Sequence, residues 1–127
     1  MGKTIDMESL ADTAAGYGFA YLITVGDNAQ IHTSAVNPVI GDSAVMIPGT
    51  SAHSRTNAGQ NPNISLVWPP AVDGGYSLIV DGEAHASGDA SDGALQITPS
   101  RAVLHRPAPR PGPASADSTC RSDCVEL

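Results

Sequence analysis

The stretch 43–72 contains no aspartate or glutamate, although the 127-residue chain carries 13 acids. A window of that length should hold about three. Its basic residue is Arg55, with His53 close by, and Thr50, Ser51, Ser54 and Thr56 surround the pair. Ser51 has the type of a helix N-cap. Unpaired N–H groups and the helix dipole draw an anion to such a start. An arginine one turn in can grip a phosphate through two parallel N–H bonds. Thr50, Ser51, Ser54 and Arg55 therefore form a candidate phosphate cradle, which a nearby carboxylate would spoil. The plainer reading, a capped helix with a solvated arginine, uses the same residues. Residue types alone do not separate the two.

Three other groups bear chemistry. Thr33, Ser34, Asn37 and Pro38 put small polar groups into a segment whose neighbours are apolar. That surface suits a flat heteroaromatic ring with hydrogen-bonding edges, and equally an edge strand facing water. Trp68 and Tyr76 flank a loop rich in Pro and Gly, where aromatics wall a pocket or interface or simply pack. Of His32, His53, His85 and His105, His53 and His105 are the candidate catalytic proton donors, set against a surface or packing role for each. Cys120 and Cys124 face together if their segment is helical, and are candidate metal ligands. Two ligands do not close a site, so unpaired thiols are the simpler reading.

These residues need a frame. Gly 13 and Pro 10 break the chain every few residues, and aromatics make up only 4%. That punctuation fits short strands better than long helices. Residues 4–16 read as a short helix and 1–17 as an N-terminal helical segment. Six strands follow at 19–25, 30–40, 43–49, 63–69, 75–88 and 94–106. A short helix capped by Ser51 and stopped by Gly59 interrupts them. The body is 18–109, and 110–127 reads as a Pro/Ser-rich tail with little core of its own. Six antiparallel-type strands with hairpin connections predict a mainly β, closed or nearly closed barrel.

Composition limits the partners. The formal net charge is −7, which argues against nucleic acid and against an anionic membrane surface. No apolar run approaches the ~18 residues of a spanning helix, and the first residues lack a secretory core. A cytoplasmic protein is expected.

In order along the chain, FAYLITVGDNAQIHTSAVNPV, PGTSAHSRTNAGQNPNISLVWPP and YSLIVDGEAHASG resemble the pyridoxamine 5′-phosphate oxidase-like flavin-binding proteins. Asn61-Pro62-Asn63-Ile64-Ser65-Leu66 and Gly82-Glu83-Ala84 carry two of the family's patterns. The resemblance implies a six-stranded antiparallel split β-barrel with two short helices. It implies a homodimer with two cofactor sites at the subunit interface, taking FMN, the deazaflavin F420 or, in some relatives, haem. Thr50, Ser51, Ser54 and Arg55 would hold the cofactor phosphate, and Thr33, Ser34, Val36 and Asn37 would lie along its ring. Trp68 and Tyr76 would close the site from the partner subunit.

The true oxidase uses several basic residues for two phosphates, and this window offers Arg55 alone, so vitamin B6 oxidation is not expected. One Lys against five Arg fits a GC-rich bacterial coding bias and tips the choice toward F420. The expected function is hydride transfer between a flavin-type cofactor and a small organic substrate. The alternative is a flavin- or haem-binding carrier without turnover.

Overall fold

The structure, a computed structural model, describes residues 5–86, 93–107 and 122–127. The chain order is α1 (Met7–Ala14), β1 (Ala20–Val25), a 3-10 turn (Asp27–Ala29), β2 (Ile31–Val36), β3 (Val39–Ile40) and β4 (Val45–Ile47). Then come α2 (Ala52–Gln60), β5 (Asn63–Trp68), β6 (Ser77–Ala86), β7 (Leu95–Pro107) and β8 (Ser122–Glu126). The strands join one antiparallel sheet in the order β2-β1-β5-β6-β7-β4-β3. This is a curled split-barrel sheet with two helices, in the class the sequence predicts.

Two strands exceed the expected six. The predicted strand 30–40 is two, because Pro38 has no N–H to give a ladder and the chain turns between Val36 and Val39. The second addition is β8. Its residues lie in the expected tail 110–127, but they pair with β7 from Val103↔Glu126 to Pro107↔Ser122. The cause lies in β7. One edge of this long strand pairs with β6 along most of its length, while β4 covers only Leu95–Ile97 on the other. The remaining edge offers unpaired backbone groups, and β8 takes them; Leu127 N–H donates to Ala102 O at 2.9 Å.

The core follows the period of two along the strands. Leu22, Leu66, Val80 and Ala102 face each other across β1, β5, β6 and β7 and are almost wholly buried. Each such large aliphatic side chain contributes about 1.5–3 kcal/mol through burial. Leu10 brings α1 onto the same core. The helix begins where Asp6 accepts N–H bonds from Glu8 and Ser9. It is shorter than the predicted 4–16, whose first residue lies outside the described ones. At Gly82 the β6–β7 register shifts, and a Cβ would lie 2.4 Å from Thr98 O, so the strands approach closely only with glycine there. Among the described residues, no helix is long and apolar enough to cross a membrane.

Candidate cofactor site

Helix α2 starts where expected. Ser51 is extended (φ −70°, ψ 157°) and its Oγ accepts the Ser54 N–H at 3.1 Å. The predicted stop at Gly59 falls one residue short of the observed end. The buried residues of α2 are Ser54, Asn57 and Ala58, so this helix has almost no apolar stripe with which to dock. Hydrogen bonds replace it. Ser51 Oγ donates to Ser54 Oγ at 3.0 Å, and Ser54 Oγ lies 3.4 Å from Ser34 Oγ on β2. Asn57 Nδ2 donates to the buried Thr24 Oγ1 on β1 at 3.2 Å. Asn61 Nδ2 ties the helix end to Val25 O at 2.8 Å. Beside these, the His53 ring stacks on His32 of β2, centroids 4.3 Å apart and planes 17° from parallel. Helix and strand thus meet along a polar seam.

The seam sorts the predicted residues. On β2, His32, Ser34 and Val36 are more buried than Ile31, Thr33 and Ala35, which are exposed on the other face. Thr33 and Ser34, predicted together, therefore stand on opposite faces, and Ser34 alone reaches α2. Asn37 is exposed beyond the strand. Thr50 and Arg55 have structural partners. The Thr50 hydroxyl and N–H both donate to Gly93 O, and Arg55 Nη1 donates to Thr50 O. Gly93 has φ +70°, and a Cβ on it would lie 2.7 Å from Arg55 Nη1. Glycine is required there both by its φ and by the guanidinium. Ser51 is exposed although its hydroxyl is engaged by Ser54, Arg55 is half-buried with donors beyond Nη1, and no acid stands in the first turn of α2. Among the described residues of this helix start, the charge suits an anion.

Trp68 corrects an expectation. It is 2% exposed and packs in the core of its own chain, so its ring has no surface left for a partner's ligand. Tyr76 is half-buried: its carbonyl accepts from Tyr17 OH at 2.9 Å, and its ring faces the Arg106 guanidinium 4.5 Å from the centroid. His105 lies in a separate row, opposite Ser77 and Cys124, and does not join His53. Cys124 is an exposed free thiol, and Cys120 lies outside the described residues. Among the described residues, no group of three or more His, Cys, Asp or Glu is placed to hold a metal ion.

The sequence reading missed Thr24, Asn57 and Gly93 as parts of the site and passed over His32 in favour of its partner. Ser54 and Asn57 carried a signal, since residues three apart on a helix share a face. Thr24 was hidden inside an apolar strand, and Gly93 acts through a contact far along the chain.

This architecture is the split-barrel fold of the pyridoxamine 5′-phosphate oxidase-like proteins. A putative pyridoxamine 5′-phosphate oxidase from Listeria innocua superposes with TM-score 0.62 at 12% identity, over 77% of this chain and 96% of that one. An F420 reductase gives 0.54 at 14% identity, over 76% and 95%. A heme binding protein from Mycobacterium smegmatis gives 0.58 at 15% identity, over 99% of this chain and 60% of that one. By sequence, the chain belongs to one family with the uncharacterised proteins Mb0449c of Mycobacterium bovis and MT0457 of Mycobacterium tuberculosis. It is 40% identical to each over 97% of its own length and 94% of theirs. No protein-family model matches the sequence.

Proposed function

We propose that this protein binds a phosphate-bearing flavin-type cofactor, F420 or FMN, at the start of α2 and serves as a cytoplasmic oxidoreductase acting on a small organic molecule. One observation carries the reading: a capped helix start with no carboxylate in its first turn, with exposed Ser51 and the donors of Arg55 other than Nη1 beside it. Arg55 grips the phosphate, joined by Ser51 once its hydroxyl turns from Ser54, while Thr50 O holds the guanidinium and Gly93 leaves room for it. Thr33 and Asn37, exposed on and just beyond β2, provide the edge along which the ring lies, while Ser34 and Val36 face α2 and the core. When bound, the cofactor supplies hydride chemistry; the protein supplies grip, orientation and a site screened from water.

The neighbours support a flavin-type ligand through their fold, and the F420 reductase among them favours the deazaflavin. A second reading, a haem or flavin carrier without turnover, draws on the heme binding protein of the same fold. An absorption titration with F420, FMN and haem separates these readings. Arg55→Ala is expected to weaken F420 or FMN binding about 10- to 100-fold, from the loss of a charged hydrogen bond. Unchanged affinity rules out the cradle. Saturable binding of haem alone selects the carrier.

The site is completed in a homodimer. Phe19 and Tyr21, 41% and 39% exposed, pack edge to face at 5.0 Å on the outer side of the sheet. Tyr21, Val67 and Ile79 follow one another in register across β1, β5 and β6. An apolar row of this kind on a small chain suits a second copy better than water.

A further inference from the structure

Between the β1–β2 turn and α2 lies a cleft of about 280 Å³. We propose that it is a second binding site, taking an uncharged planar heteroaromatic ring of the nucleobase kind, and that His53 is its gate. The proposal does not depend on the flavin-type cofactor.

The stacked imidazoles come first. His32 and His53 lie nearly parallel at the separation of a π stack. Both line the cleft. In this arrangement His32 Nε2 is shut from solvent and has no hydrogen-bond partner. An unpaired buried nitrogen is costly, so the stacked state is poised rather than satisfied. His53 is exposed and sits near the start of its helix, so a side-chain rotation uncovers His32 without moving the backbone. A ligand ring then takes the place of His53 over the face of His32, and the displacement of His53 opens Nε2, which bonds in the imidazole plane, to water.

The lining indicates the ligand class. Gln30 and Gln60, both exposed, present carbonyl and amide groups of the kind that read the edges of a base. Asp27 is the formally charged residue of the lining, which holds neither Lys nor Arg. That charge favours an N–H-rich edge and disfavours a phosphate, the opposite of the preference at Ser51 and Arg55. Backbone strain sits at the rim. Asn28 and Ala29 both adopt left-handed conformations, φ 58° and 59°, which is costly for alanine.

The test is a titration of the full chain with adenosine and with AMP, followed by the imidazole NMR signals of His32 and His53. Adenosine is expected to bind saturably in the micromolar to millimolar range, shifting His32 Nε2 and moving His53 out of its stack. Gln60→Ala, on an exposed position, should weaken adenosine about tenfold. His53→Ala should bind as tightly as the native chain or more tightly, whereas His32→Ala should lose binding. Absence of saturable adenosine binding overturns the site. AMP binding about tenfold tighter than adenosine overturns the uncharged class. Equal losses in the two histidine variants overturn the gate. Displacement of adenosine by FMN or F420 makes the cleft part of the cofactor site and overturns its independence. Simultaneous binding supports it, and adenosine binding without any FMN or F420 binding removes only the cofactor reading.

Discussion

Asn57 illustrates how much one side chain can hold in this protein. Its amide satisfies the fully buried Thr24 hydroxyl, and Gly26 leaves room for it, since a Cβ there would lie 2.7 Å from Asn57 Oδ1. Asn57→Ala should cost about 1–3 kcal/mol, because it leaves the Thr24 oxygen buried without its partner. Removing both groups, as in Asn57→Ala with Thr24→Val, should recover part of that loss in a denaturant titration. The residue scale is also where the sequence was both most and least informative. The Ser51 cap is local chemistry, read from a serine ahead of a short polar helix. Thr33 and Ser34 look like one polar surface in the sequence, yet a strand must send neighbours to opposite faces. Trp68 gave no warning of its burial, because an aromatic ending a strand before a loop has the same composition whether it faces the core or a ligand.

Among the elements, α1 depends on a titrating cap. The Ser9 backbone and side-chain hydrogen bonds, with the Glu8 N–H, hold the Asp6 carboxyl below its ordinary value of 3.8. A carboxyl depressed in the folded state stabilises the helix above its unfolded pKa and loses that effect as pH falls through the lower folded one. The protection of the α1 amides, taken relative to the intrinsic exchange rate at each pH, is therefore expected to fall below about pH 4. In Asp6→Asn, which caps without titrating, the acid dependence should flatten. The strand pattern was legible because alternation marks β1, β5 and β6 directly. β8 was not, since what makes it a strand is the edge left open on β7 rather than anything in its own composition.

For the whole molecule, the outer row of Tyr21, Val67 and Ile79 makes the subunit count measurable. In the proposed homodimer, Tyr21→Asp places a charge opposite Val67, where no partner group is provided for it. Sedimentation should then show monomer at concentrations where the native chain is a dimer, with the fold retained by circular dichroism. A native chain that is already monomeric removes the dimer from the proposed function. Composition had pointed here: a 127-residue chain with few aromatics buries a smaller share of its surface than a larger domain.

The polar seam under α2 has a thermodynamic consequence. Most elements of a barrel detach by exposing apolar surface, so their opening responds strongly to urea and carries a large heat-capacity change. α2 is held through Ser34, Thr24 and Val25 O and buries Ala58 as its one core apolar side chain. Its release should therefore expose little hydrocarbon. Native-state hydrogen exchange should find α2 opening with a shallow denaturant slope while β5 and β6 follow the steep global one. A steep slope for α2 would mean that it unfolds only with the sheet.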